Sequence, residues 1–271
     1  MHERSGDTQT VNVTTADASA SDAVSPTGDA EVAPLHKWTL ILIRHGETEW
    51  NADGRIQGQT DIALSDVGRF QVRKLGRRFS AACRSIAPRP LIAAFGAESL
   101  SVAAHFSSDL SRATETARIV QGSSPHLGPL RLYSMTLLRE RNFGEWQGLE
   151  PEALKAARAS DNDTPPGGET ETQVFDRMRH ALDVVVTHLE NSPGTESRVG
   201  LVYGHGGSLR AFICFALGLG ADKMRCFRME NTSVSVIEIE GVFADEEIAI
   251  KNGRLVCLNE TAHLLSPEVL V

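Results

Sequence analysis

The sequence predicts an α/β fold, a three-layer sandwich with a mostly parallel central sheet and helices on both faces. Apolar stretches of strand length alternate with helical patterns through the middle of the chain, which is the signature of a parallel sheet covered on both sides. A 41 % hydrophobic content over 271 residues is ample for a core of that size. The chain shows no internal repeat.

Trp38 to Ile43 reads as the first strand. Ser65 caps a helix running to about Cys83, with Val67, Phe70, Leu75 and Phe79 on its inner face. Val102 to Phe106 forms a second strand, followed by a helix from Ser111 to Gln121, and a third short strand falls at Leu130 to Tyr133. Val174, Met178, Leu182, Val185 and Leu189 recur at helical spacing between Thr170 and Glu190. Val199 to Tyr203 is the next strand and Ser208 to Leu217 the next helix. Ser233 to Ile239 and Ile248 to Leu258 read as β structure, with Asn252-Gly253 as a hairpin turn. Arg84 to Ser101 reads as a surface insertion with two prolines, and Asp161 to Gly168 as a loop.

Residues 1–36 are expected to be a disordered tail ahead of a domain spanning 37–271. The tail is rich in Ser, Thr, Ala, Asp and Val and has no aromatic residue, so it buries too little surface to offset the entropy of ordering. It holds six acids against Arg4. Of the net charge of -8, the tail therefore carries -5 and the domain only -3. Overall acidity then says little about how the domain receives an anion.

No apolar run approaches the roughly 20 residues needed to span a bilayer, and the tail lacks the features of a signal or transit peptide. Cys83, Cys214, Cys226 and Cys257 form no CxxC pair and no metal-ligand cluster, which points to reduced thiols and a cytoplasmic location. The sequons at Asn12, Asn231 and Asn259 carry no weight in that compartment.

Four stretches carry chemistry, each just beyond a predicted strand: "IRHGETEWN", "SSDLSRATETA", "LLRERNFGEWQG" and "VYGHGGSLR". In an open α/β sheet, ligands bind at the carboxyl ends of the strands, so these chain-distant stretches are expected to converge. A cation and an imidazole at the end of an apolar strand, Arg44 and His45, have no packing purpose. Arg112 stands near a helix start, where the helix dipole disfavours a cation and a bound anion explains it better. His205 lies between two glycines, where backbone comes close enough to meet a ligand. His36, His105, His126, His180, His188 and His263 have no such context.

Taken in order, these four stretches resemble the histidine phosphatase superfamily, which also holds the cofactor-dependent phosphoglycerate mutases, and the likeness runs from Trp38 to Glu240. The resemblance implies that His45 is the nucleophile, that Arg44, Arg112, His205 and Gly206 hold the transferred phosphoryl group, and that Glu140 is the proton donor. It also puts Asn51, Gln57 and Gly58 where family members touch substrate. Acids near Glu140, namely Glu47 and Glu145, are alternatives for its role.

The residue types suit this chemistry in their own right. A neutral imidazole is a competent nucleophile for a covalent intermediate, and two arginines neutralise the phosphoryl oxygens with planar forks. They also disfavour the imidazolium form of His45. A carboxyl group gives its proton to the leaving alkoxide and, once ionised, activates the water that hydrolyses phosphohistidine. Nothing in the scheme calls for a metal or another cofactor. The expected partner is a small phosphorylated metabolite rather than nucleic acid or membrane; the oligomeric state stays open.

Three functions fit: a phosphatase, a phosphoglycerate mutase, and a non-catalytic binding module on the same fold. Only 28 residues separate Glu140 from Glu169, too few for the long segment with which the mutases cover their site. Gly207 also stands where the mutases resemble one another in having asparagine, and "RIQGQTDIALSDVG" looks like the phosphatase branch. A second phosphate on the substrate would need further cations, for which Arg139, Arg141, Arg225 and Arg228 are candidates.

Overall fold

The computed structural model describes residues 34–79, 102–123, 127–160, 164–192 and 198–265. Residues 1–33 of the expected tail and the expected insertion at 84–101 lie outside them.

Six strands form one sheet: β1 (Leu35–Arg44), β2 (Ala104–Ser108), β3 (Leu132–Met135), β4 (Val199–Gly204), β5 (Val234–Ala244) and β6 (Glu247–Glu260). Their order is β3-β2-β4-β1-β5-β6. β3, β2, β4 and β1 run parallel to one another, while β5, antiparallel to β1, and β6 add a hairpin at one side. β1 begins at Leu35 rather than Trp38, so Leu35 and His36, assigned to the tail by composition, pair with Val242 and Gly241 in the sheet.

Period-2 alternation along β1 divides the core. Ile41 and Ile43 face one layer with Leu201 and Tyr203, covered by α2 (Asp66–Phe79) and α3 (Ser111–Gly122) through Val72, Leu75, Ala117 and Val120. Leu40 and Leu42 face the other, covered by α5 (Glu171–Glu190) and α6 (Gly206–Ala216) through Val174, Met178, Val185 and Phe212. Helices on both faces of a mostly parallel sheet are the architecture the alternating pattern predicts. The remaining α-helices among the described residues are α1 (Glu49–Ala52), α4 (Pro151–Ser160) and α7 (Ala262–Leu265).

Three expectations change. Val67 is 54 % exposed, because α2 turns Gly68, Val72 and Leu75 inward; a side chain at 68 would collide with the backbone of Glu47. The hairpin turn is Asp245-Glu246, both with positive φ (52° and 62°), as a two-residue turn matching the strand twist requires. Asn252 and Gly253 instead sit inside β6, opposite Glu240 and Ile239, beside a register shift. Gly253 is glycine because the end of α6 crosses it, where a Cβ would meet the Ala216 carbonyl. Finally, α4 appears where no helix was expected; it buries none of its residues, so it shows no apolar stripe to read.

Candidate active site

The ends of β1, β2 and β4 deliver three of the predicted groups to one place. His45 follows β1, Arg112 is the second residue of α3 after β2, and His205 caps α6 after β4. The His45 and His205 rings are 5.1 Å apart. Arg112 donates from Nε to His205 Nδ1 at 3.2 Å. The polar groups involved are almost wholly removed from solvent, Arg112 keeping only 1 % of its surface exposed.

Hydrogen bonds fix both imidazoles. His45 Nδ1 is 2.6 Å from the Gly46 carbonyl. A carbonyl only accepts, so Nδ1 carries the proton and Nε2 is left with its lone pair. In His205 the logic reverses: Arg112 only donates, so Nδ1 accepts and Nε2 carries the proton. That Nε2–H is buried and has no partner among the described residues. Burial, Arg112 and Arg44 push the pKa of His45 well below its ordinary value; burial, Arg112 and His45 do the same to His205.

The arginines are aimed by carbonyls. Arg112 donates to the carbonyls of Thr60 (2.8 Å) and Gly58 (2.7 Å), and Arg44 Nη1 to that of Met229 (2.6 Å), while Arg44 Nε is buried without a partner among the described residues. Gly46 is tied to the same helix as Arg112, its N–H donating to Thr116 Oγ1 at 3.1 Å.

Glu140 arrives on the loop after β3 and reaches the start of α6. Its Oε2 accepts from the Gly207 N–H (2.9 Å), and its Oε1 from those of Ser208 (3.1 Å) and Arg141 (2.8 Å). This seat exists because position 207 is glycine, since a Cβ there would run into Glu140 Oε1. The alternatives are elsewhere: Glu47 is engaged with Ser65 and Glu145 is exposed.

The other predicted contacts divide. Gln57 is buried with an unpartnered Oε1, and rotation of its amide would present N–H donors instead. Gly58 aims Arg112 through its carbonyl, and its φ of 54° and tight packing on Gln147 account for the glycine. Asn51 Oδ1 accepts from the Thr48 N–H and from Asn231 Nδ2, both at 3.2 Å, which leaves its own N–H donors. Gly206 opens α6 beside Arg44.

The four arginines considered for a second phosphate each face a carboxylate: Arg139 grips Asp109, Arg141 and Arg225 approach Glu171, and Arg228 pairs with Glu230. Arg210, which motif reading passed over, differs. It lies on α6 four residues after Gly206, has no acid partner among the described residues, and keeps a buried Nε without an acceptor. It is close enough to Arg44 for the two charges to oppose each other. No group of three or more His, Cys, Asp or Glu among the described residues is placed to hold a metal ion. The donors gathered here suit an anion.

Residues 40–87 and 89–245 match the family described as the histidine phosphatase superfamily, branch 1. This chain belongs to that superfamily. Its chemistry runs generally through a phosphohistidine. Phosphoglycerate mutase-like protein 4 of Arabidopsis thaliana is 35 % identical over 170 residues, 55 % of this chain and 65 % of that protein. A metal-independent phosphoserine phosphatase of the same plant is 34 % identical over 211 residues, 74 % of this chain and 76 % of that one. Among solved structures, a mycobacterial glucosyl-3-phosphoglycerate phosphatase superposes with a TM-score of 0.64 at 26 % identity, covering 83 % of this chain and 99 % of its own. The superfamily member described here thus resembles mutase-like proteins and phosphatases alike.

Proposed function

We propose that this chain is a phosphomonoester hydrolase for small phosphorylated metabolites, working through phosphohistidine on His45. The observation that carries the reading is the His45–Gly46 hydrogen bond, which leaves a bare, neutral Nε2 beside two buried donors without partners, Arg44 Nε and His205 Nε2–H. Unsatisfied buried donors are costly in a folded protein and mark where an acceptor belongs. A phosphoryl group supplies acceptor oxygens.

In the first step the His45 Nε2 lone pair forms a bond to phosphorus as the ester P–O bond breaks. Glu140, entering as the acid, gives its proton to the departing alkoxide. Arg44, Arg112 and the His205 N–H hold the phosphoryl oxygens, where charge concentrates in the transition state. In the second step Glu140, now a carboxylate, takes a proton from water. The resulting oxygen nucleophile displaces His45 from phosphorus, releasing inorganic phosphate.

Phosphoserine and glucosyl-3-phosphoglycerate are the first substrates to try, because relatives are named for them. Both carry a carboxylate, which Arg210 is suited to receive. The free thiols of Cys214, Cys226 and Cys257 support a reducing, cytoplasmic setting.

The test is phosphate release from p-nitrophenyl phosphate and a metabolite panel, with mass spectrometry of briefly incubated Glu140→Gln under neutral conditions. Phosphate accumulating on His45 in that variant, and no turnover in His45→Ala, are the expected results. Phosphate on another residue, or full activity in His45→Ala, would overturn the mechanism. Isomerisation of 3-phosphoglycerate outpacing hydrolysis, primed by the bisphosphate, would make the chain a mutase. Binding of phosphate without turnover would make it a binding module.

A further inference from the structure

The Arg44–His45 dipeptide is held by a turn at the far end of the sequence. The β1·β5 ladder pairs as far as Ile43 with Val234; beyond it, the chain at 229–233 wraps the dipeptide. The Arg44 N–H donates to the Ser233 carbonyl at 3.2 Å, and Arg44 Nη1 to the Met229 carbonyl. The Thr232 N–H is shared between the carbonyls of Arg44 (3.1 Å) and His45 (3.2 Å). Asn231 Nδ2 reaches the His45 carbonyl at 3.1 Å and Asn51 Oδ1 at 3.2 Å.

The Arg44–Ser233 bond continues the ladder by one rung, whereas the bonds from Asn231 Nδ2, the Thr232 N–H and Arg44 Nη1 are additions to it. Thr232 has φ 57°, a left-handed conformation in a β-branched residue, which is strained and persists only where the surroundings over-determine it. Thr232 and Ser233 are fully buried and His263 keeps only 5 % of its surface exposed. Arg78 Nη1 lies 3.3 Å from His263 Nδ1. Since a guanidinium only donates, His263 accepts at Nδ1 and carries its proton on Nε2, which donates to Thr232 Oγ1 at 2.9 Å. The Thr232 hydroxyl in turn donates to the Asn231 carbonyl at 2.7 Å. A relay of three hydrogen bonds from α2 and α7 thus locks a strained turn whose donors point at the carbonyls of the site.

We infer that Asn231 and Thr232 are positioning residues for phosphoryl transfer: their turn sets the place of the Arg44–His45 backbone, and His263 locks the turn. The inference rests on the reading of His45 as nucleophile. It adds that the nucleophile is aimed from the carboxyl-terminal part of the chain, through groups that touch no substrate.

The experiment compares full-length Asn231→Ala, Asn231→Asp, Thr232→Ala and Thr232→Ser with wild type in single-turnover phosphorylation by p-nitrophenyl phosphate, with affinity for inorganic phosphate and urea midpoints measured alongside. A misplaced nucleophile reacts roughly ten- to a hundredfold more slowly even though its ligands still bind. Asn231→Ala, Asn231→Asp and Thr232→Ala are expected to slow phosphohistidine formation by that order while phosphate affinity holds. Thr232→Ser, which keeps the hydroxyl, is expected to retain the wild-type rate. Wild-type rates in the folded Asn231→Ala and Thr232→Ala variants, or losses that merely track the unfolded fraction, would overturn the inference. If wild type itself hydrolyses nothing, the phosphatase reading fails separately. The imidazole nitrogen resonances of His45 then decide: a shift or broadening in Asn231→Ala supports the positioning role, and unchanged resonances reject it.

Discussion

Gly207 is the residue on which the seat of Glu140, the proposed proton donor, depends. Its missing side chain leaves the start of α6 open to the Glu140 carboxylate, so Gly207→Ala is expected to evict the acid while leaving His45, Arg112 and His205 in place. The loss will depend on the leaving group: about a hundredfold for alkyl phosphates, which need a proton, and far less for p-nitrophenyl phosphate. Equal losses on both would show that Glu140 is not the donor. Arg210 makes the second test at this scale. Arg210→Ala is expected to raise KM for phosphoserine by about tenfold, the worth of a charge-assisted hydrogen bond, and to leave p-nitrophenyl phosphate kinetics nearly unchanged. Motif reading singled out His45, Arg112 and His205, which the structure brings together, because they follow strand ends in recognisable strings. It passed over Asn231, Thr232 and Arg210, whose roles come from bonds to backbone or from a missing partner, neither of which leaves a local pattern.

Among the elements, α5 does for Glu140 what the Asn231–Thr232 turn does for His45. From α5, Arg177 donates to the carbonyls of Leu137 (2.7 Å), Arg139 (2.8 Å) and Glu140 (3.3 Å) and grips both carboxylate oxygens of Glu169, whose Oε2 also receives the Asn142 N–H. Arg177→Ala is expected to cost about 2 kcal/mol or more, since Glu169 is left half-buried without its partner, and to lower kcat while phosphate binding persists. Lysine will not rescue it, because one ammonium cannot reproduce the planar fork. Urea midpoints and kcat measured on both variants check this. Helices with an apolar stripe, such as α5, were legible in outline. The exposed α4 was not, and Gly253 was misread because a glycine that admits a crossing helix looks the same in sequence as one that makes a turn.

For the molecule as a whole, the four histidines buried among the described residues shape the response to acid. Burial lowers the pKa of His45 and His205 well below 6.5, that of His105 to about 4 and that of His263 to about 3. The unfolded chain titrates these groups near 6.5. Below that pH the unfolded state binds protons that the folded state refuses, so stability falls as pH drops, by about 1.4 kcal/mol per pH unit for each histidine. Above pH 7.5 the four contribute no slope. Urea midpoints at pH 7.5, 6.5 and 5.5 should decline accordingly, and a flat profile would contradict the assignment of neutral imidazoles. The sheet was predictable because buried parallel strands read as apolar runs, and the groups hung from its inner strands were predictable with it. Those strands also impose an order on failure. Arg44 ends β1, and Arg112 and His205 come just after β2 and β4; the three strands are neighbours inside the sheet, whereas Glu140 hangs beyond the four-residue edge strand β3. Edges open before interiors as a protein is warmed. Heated short of unfolding, the molecule should lose its proton donor first and keep its hold on phosphate, becoming for a few degrees a binder that has stopped turning over.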